Sequence, residues 1–413
     1  TRKESSAASD VYKRQISIVY PLGQVVVGLG LLFGNGAASY ISRLLGQEKE
    51  EQANKVASTS LYCSLTIGII LILFCVVFLK PILILLGATK SILPYAMTYA
   101  GIYIISCIFN VFNVTMNNIV TSEGAAKTTM LALLTGAILN IALDPLFIYT
   151  FDFGVAGAAI ATAISQVVST LVYLYYLFSK KSIFRFHLKD CSFSKEIFSE
   201  IFKIGVPTLV FQLLTSLSIS LINNASGTYG DAAIAGMGVV TRLVSMGSLT
   251  VFGFIKGFQP IAGYSYGAKK YERLRQAIKT SILWSTIFCV VVGFGFFLFP
   301  TQIVSQFTTG NAEMIHIGAN SLRINGITFM LFGYYTVYSS LFLALGKGKE
   351  GFLLGACRQG ICFIPVILIL PTIWGLTGIL YAQPIADVLS FLISLFMALS
   401  LHKQLNLSGT QIN

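Results

Sequence analysis

Apolar residues in this chain come in long blocks rather than in alternation. "TIGIILILFCVVFL" (66–79) is typical, and short polar stretches rich in Gly, Lys and Glu separate one block from the next. A helix rising 1.5 Å per residue needs about 20 apolar residues to cross roughly 30 Å of hydrocarbon. The pattern predicts eleven such helices, at 16–44, 56–79, 93–120, 127–149, 155–179, 199–225, 232–265, 279–299, 313–345, 351–371 and 375–401. A strand reading fails, because the runs exceed 20 residues and do not alternate. The expected fold class is all-α, a polytopic membrane protein.

Composition supports this reading. Only 11% of residues are charged and 55% are hydrophobic, against about 25% charged in a soluble domain. The net charge of +12 would suit a nucleic-acid partner, but the basic residues sort by loop. With a cytoplasmic C-terminus, the inner loops and helix ends carry Lys180, Lys181, Arg185, Lys269, Lys270, Arg273 and further basic residues, whereas the outer loops carry Lys80 and Lys90. That is the positive-inside bias of a membrane protein, and no nucleic-acid partner is expected. The seven cysteines are scattered without metal spacing, and no disulfide framework is expected.

An internal repeat organises the chain. "GNGAASYISRLLGQEKEEQANKV" (34–56) aligns with "IKGFQPIAGYSYGAKKYERLRQA" (255–277), so that Gly36, Gly46 and Glu51 meet Gly257, Gly267 and Glu272 at an offset of 221. Gly154 and Gly157 meet Gly375 and Gly378 at the same offset, and "GAAK" (124–127) meets "GKGK" (346–349) at 222. An offset that persists over more than 100 residues marks a duplicated bundle, common in secondary transporters. The partner of helix 199–225 would fall before the chain begins. The expectation is therefore two six-helix bundles with the first helix missing from this chain. Residues 1–15 have no place in the repeat, and "SSAASDVYKRQ" (5–15) resembles a translated sequencing adapter, so they are read as a non-native leader. The domains follow: an incomplete N-terminal helical lobe (16–179), a basic, aromatic-bearing cytoplasmic linker (180–198) that lies on the membrane surface or is simply solvated, a C-terminal helical lobe (199–402) and a cytoplasmic tail (403–413).

Two carboxylates stand well inside apolar helices, Asp144 in "NIALDPLFIY" (140–149) and Asp387 in "YAQPIADVLSF" (381–391). An ionisable group there is costly and usually functional. Asn140 shares a helix face with Asp144. Pro145 has no N–H to give the carbonyl of Ile141, and an opened carbonyl is tolerable only at a cavity or a neighbour. A carboxylate, an amide oxygen and a carbonyl are hard ligands for Na⁺, or a site for a proton. Thr162 on the next helix would complete the cluster if the two helices form a hairpin. The competing reading is that these side chains only hold helices together. Asp387, beside Gln383 and with neutral Gln166 as its repeat partner, suits a hydrogen-bonded structural role.

"GNGAASYISRLLG" (34–46), "NIALDPLFI" (140–148), "GVAGAAIATAISQ" (154–166) and "QPIAGYSYGAK" (259–269) together resemble the multidrug and toxic compound extrusion (MATE) family, closest to its MepA-like bacterial group, over residues 16 to about 402. The resemblance implies a twelve-helix, two-lobe antiporter in the bacterial cytoplasmic membrane, exporting cationic or amphipathic drugs and toxic organic compounds in exchange for H⁺ or Na⁺. It implies a cation-coupling site at Asp144, Asn140 and Thr162, able to take Na⁺, with Tyr99 as the tyrosine of the preceding helix. Relatives add an aspartate from the first helix, which this chain lacks. With the 222 offset, Asn140 and Asp144 fall on Cys362 and Val366, so coupling would belong to the N-lobe. The expected partners are small organic cations and the lipid bilayer, with the protein a monomer and no cofactor beyond the coupling ion.

Other features carry less. Tyr20, Met246 and Phe254 are candidates for a permissive drug cavity. Arg242, Lys256 and Arg323 either snorkel to the headgroups or form a basic cavity. The latter would suit a flippase for lipids or lipid-linked oligosaccharides, the rival function. Gly28, Gly30, Gly34 and Gly36 permit close helix approach. His187, His316 and His402 share no catalytic pattern, no phosphate-binding loop or zinc signature occurs, and an enzyme is not expected.

Overall fold

The computed structural model describes residues 2–85, 93–151, 153–307 and 312–410; side chains of residues up to 21 and from 405 onward, and of Leu85, Tyr95, Tyr149, Val155 and Asp231, lie outside that description. Most of the described residues are helical, and no strand occurs among them. In chain order the helices are α1 (Arg2–Gly46), α2 (Glu50–Val77), α3 (Leu79–Leu85), α4 (Leu93–Ser122), α5 (Ala126–Pro145), α6 (Gly154–Phe178) and α7 (Lys195–Gly227). They continue with α8 (Asp231–Gly267), α9 (Tyr271–Leu298), α10 (Pro300–Ser305), α11 (Ala312–Ala344), α12 (Gly348–Ala356), α13 (Phe363–Trp374) and α14 (Leu376–Thr410). Wider π-helical turns occupy Leu146–Thr150 and Cys357–Ile361.

Among the described residues, eleven segments are long and apolar enough to cross a membrane, the α12–α13 stretch counting as one. Each coincides with an expected span. The structure differs at the ends: α2 and α9 begin at residues 50 and 271, where the apolar pattern predicts 56 and 279. Their first turns are polar yet helical. Glu50, Glu51 and Glu272 sit at the positive end of the helix dipole, and Lys55 pairs with Glu51 at 3.3 Å. α3 and α10 follow directly on the ends of the expected spans 56–79 and 279–299 and were not predicted.

The duplication is visible in the backbone. α2 and α9 are offset by 221 residues at both ends, and α6 and α14 begin 222 apart. Unusual backbone conformations repeat too. Glu48 and Lys269 have φ of 61° and 55°, each two residues beyond a helix that ends in glycine, and Gly154 and Gly375 have φ of 53° and 59°. A non-glycine residue at positive φ is uncommon, so its recurrence at the same register argues for one ancestral bundle.

The chain divides into two compact units, 1–41 with 49–209, and 42–48 with 210–413. In the first, α1 crosses the opening turns of α7 at backbone contact. A Cβ on Gly36 would lie 2.3 Å from the carbonyl oxygen of Ile201, and one on Gly205 would lie 2.1 Å from that of Leu32, so only glycine fits at either position. Asn35 Nδ2 donates to Thr208 Oγ1 at 2.9 Å beside this crossing. In the second unit α11 is the central helix, packed by α8, α9 and α14 around Phe329, Phe332, Tyr335 and Tyr338.

The segment joining α6 to α7 is held in the first unit by hydrogen bonds to α2 and to the α4–α5 turn. Tyr62 Oη donates to the Phe186 carbonyl at 2.8 Å, Asn54 Nδ2 to Asp190 Oδ2 at 2.8 Å, and the Ser192 amide to Thr59 Oγ1 at 3.0 Å. Glu123 accepts from Ser182 Oγ at 2.9 Å and from the Ile183 amide at 3.0 Å. Burial raises the Glu123 carboxyl above its ordinary value, against the downward pull of these donors. These bonds tie the segment to the helices, an arrangement that neither sequence reading of the linker specified.

Candidate cation site

α5 has two faces. Thr129, Ala132 and Gly136 form its buried stripe, whereas Ile138 and Ile141 are 64% and 72% exposed. Asn140 and Asp144 extend the buried stripe at four-residue spacing and are half-buried. Asp144 therefore stands on the packed side of an otherwise bilayer-type helix. Asn140 Nδ2 approaches Asp144 Oδ1 at 3.4 Å, a long contact. Among the described residues no cationic side chain pairs with Asp144. Pro145 closes α5, and the helix widens into the π-helical turn Leu146–Thr150, where the Phe151 amide reaches the Leu146 carbonyl at 3.0 Å. Backbone of this kind beside a proline is common at functional sites.

α5 and α6 form the expected hairpin. Ser169 Oγ donates to the Ala132 carbonyl at 3.0 Å, and a Cβ on Gly136 would lie 2.2 Å from that hydroxyl oxygen. Thr162 is half-buried on α6, and its hydroxyl donates to the Ala158 carbonyl of its own helix at 2.9 Å. Its proton is thus spent locally while the oxygen keeps acceptor capacity. Tyr99 is buried on α4, stacks on Tyr103 at 5.9 Å between centroids, and packs in one cluster with Ala158, Ala159 and Ile148. The four predicted residues therefore come from α4, α5 and α6 of one unit. The hydrogen bond between Asn140 and Asp144 is direct; Thr162 and Tyr99 are held by their own partners.

Sequence reasoning missed the polar ladder between α4 and α6. Asn113 Nδ2 donates to Gln166 Oε1 at 2.8 Å and to the Gln166 carbonyl at 2.9 Å, and Thr170 Oγ1 donates to Asn113 Oδ1 at 3.0 Å. A turn further on, Asn117 Nδ2 donates to Tyr173 Oη at 3.2 Å. Four asparagines in "NVFNVTMNN" (110–118), inside an apolar helix, were the signal.

The second unit treats its carboxylate differently. Asp387 is buried and accepts from Arg358 Nε and from Gln383 Nε2, each at 2.8 Å and both on Oδ1. The expected hydrogen-bonded role of Asp387 is thus present, with Arg358 as a partner the sequence did not reveal. Cys362 and Val366 occupy the repeat positions of Asn140 and Asp144 and supply no carboxylate. Of the remaining candidates, Met246 and Phe254 lie exposed on α8, the side chain of Tyr20 lies outside the described residues, Arg242 and Arg323 are exposed, and Lys256 is half-buried. No cluster of three or more His, Cys, Asp or Glu able to hold a metal occurs among the described residues.

The MatE family profile matches residues 15–146 and 207–369, both halves of the repeat. The chain belongs to the MatE family. MatE relatives include the multidrug export protein MepA of Staphylococcus aureus (strain MRSA252), 31% identical over 96% of this chain and 87% of that protein, and its namesake from Staphylococcus saprophyticus at the same identity and coverage. Among solved MatE structures, a MATE transporter in complex with MaL6 superposes with a TM-score of 0.90 at 27% identity, over 95% of this chain and 88% of that one. An outward-facing multidrug-resistance MATE transporter of the MOP superfamily gives 0.89 at 26% identity, over 97% and 93%. A MOP-superfamily transporter from Pyrococcus furiosus, described as having a binding pocket of reversed polarity, gives 0.88 at 27%, over 95% and 88%. This MatE protein is therefore an all-α, multi-pass membrane transporter.

Proposed function

We propose that this protein is a cation-coupled multidrug exporter of the bacterial cytoplasmic membrane, its C-terminus inside, which releases cationic or amphipathic organic compounds in exchange for H⁺ or Na⁺. The MepA relatives support the export of drugs. The observation that carries ion coupling is Asp144, a carboxylate on the packed face of α5 with an amide neighbour and no pairing cation among the described residues. A lone carboxylate in hydrocarbon needs a positive charge, and when no side chain provides one, solution must. Asp144 supplies the charge, Asn140 Oδ1 a neutral oxygen, and Thr162 Oγ1 a further acceptor. Loading the site changes its net charge. The ion drives transport only if it binds the two access states with unequal affinity.

The test is efflux of a fluorescent organic cation from proteoliposomes under an imposed pH or Na⁺ gradient. Wild type should respond to one of the two gradients, and Asp144→Asn should fold normally but ignore both. A variant that still follows the gradient would remove Asp144 from the mechanism. The flippase alternative draws on Arg242, Lys256 and Arg323, and would show instead as transfer of a lipid-linked sugar with no movement of the organic cation.

A further inference from the structure

The two units carry the same polar register on equivalent helices. At the 221 offset, Thr162 and Gln166 of α6 correspond to Gln383 and Asp387 of α14. In the first unit the acid is on the neighbouring helix, at Asp144, and the α6 positions are neutral. In the second unit the acid is on the α6-equivalent helix itself. Arg358, from the π-helical turn Cys357–Ile361, is 6% exposed and reaches Asp387, 8% exposed, through Nε at 2.8 Å. The guanidinium also lies over the ring of Phe332, 4.6 Å from its centroid. It is a permanent cation, tethered by the chain in contact with the carboxylate. Gln383 satisfies the same oxygen.

We infer that Arg358 is a resident counter-ion that takes the place of an exchangeable cation in the second unit, silencing Asp387 and confining coupling to Asp144. The Arg358–Asp387 pair has no net charge. A further cation there would leave an uncompensated positive charge in a low-dielectric interior, a large penalty. Removing the guanidinium turns Asp387 and Gln383 into what Asp144 and Asn140 are: a carboxylate and an amide oxygen four residues apart on one helix face, open to Na⁺ or a proton. Arg358 is thus a specificity-determining residue for which unit couples. This inference rests on the reading of Asp144 as the coupling site, and the variants below separate the two.

The experiment follows the melting temperature of the purified full chain in detergent, as NaCl replaces choline chloride at constant ionic strength and, separately, as pH is varied. In the Asp144→Asn background, Arg358→Met should create a new response, a rise of about 2–4 °C on saturation with Na⁺ or H⁺. Arg358→Lys, which keeps a cation, should create none, and adding Asp387→Asn should abolish the response of Arg358→Met. A folded Asp144→Asn/Arg358→Met variant that stays unresponsive would overturn the inference whatever Asp144 does in wild type. If Arg358→Met does not fold, the neutral pair Arg358→Gln/Asp387→Asn decides. It should leave the ion dependence of otherwise wild-type protein unchanged, and a lost or shifted dependence would place Asp387 in the coupling and reject the inference. Failure of the Asp144 reading is seen elsewhere, as an unchanged response in Asp144→Asn alone.

Discussion

Asp144 and Asp387 are both acids inside apolar helices of a duplicated fold, and the protein satisfies them in opposite ways. Asp387 is sealed with a guanidinium and an amide on one oxygen, and that guanidinium rests over the aromatic ring of Phe332. Asp144 is half-buried, with one long contact to Asn140 and a π-helical turn starting two residues later. A buried carboxylate with a built-in counter-charge belongs to the architecture. One that lacks it has room for an exchangeable cation, which is the basis of the coupling proposed for Asp144. The duplication thus supplied two similar frames, and on the proposed reading one arginine separates a structural acid from a coupling one.

The largest expected effect lies in the sealed pair. Asp387→Ala leaves Arg358 buried and unpaired, and should cost about 3–5 kcal/mol of stability. Asp144→Ala should stay within about 1 kcal/mol, since it forfeits only a long hydrogen bond. Unfolding curves of the two variants in one detergent measure the contrast, and equal losses would erase it.

Next comes the ladder behind the open site. Gln166→Leu leaves Asn113 Nδ2 without its side-chain acceptor and should destabilise the first unit by about 1–3 kcal/mol. Thr162→Val should change stability much less, because the hydroxyl bonds only its own helix. On the proposed site it should nonetheless weaken the ion response, by removing the acceptor assigned there to Thr162. A Thr162→Val protein with an unaltered ion titration would take that residue out of the site.

The smallest effect concerns Glu123, an acid outside the spans held by neutral donors. Burial lifts its folded value above the ordinary one, so between those values the folded chain binds more protons than the unfolded chain. Stability from this group is therefore greatest at low pH and declines as pH rises through that window. The melting temperature of Glu123→Gln should gain on wild type as pH rises from the ordinary carboxylate range towards neutrality. The opposite slope would mean that the Ser182 and Ile183 donors outweigh burial.

Much of this was legible in the residues. Hydrophobic blocks located every span, and glycines at a constant offset exposed the duplication before any backbone angle was known. In "NIALDP" (140–145) Asn140, Asp144 and Pro145 stood out because each breaks a local rule of apolar helices. Arg358 did not announce itself, since an arginine near a helix end reads as snorkelling or loop-bound. Only the wider turn at Cys357–Ile361 and the fold of α14 bring it to Asp387, 29 residues away. The Asn113–Gln166 bond spans 53 residues and was hidden for the same reason: single-helix periodicity shows which face is polar, not which polar face it meets.

The central claim is that one carboxylate, Asp144, exchanges an ion against substrate. Its most direct test counts ions released when an organic cation binds the purified protein, with a pH indicator in weak buffer and with radioactive Na⁺ in parallel. Wild type and Arg358→Gln/Asp387→Asn should each release one ion of the same kind per substrate bound, and Asp144→Asn none. Release that persists in Asp144→Asn, or disappears in Arg358→Gln/Asp387→Asn, would contradict the account.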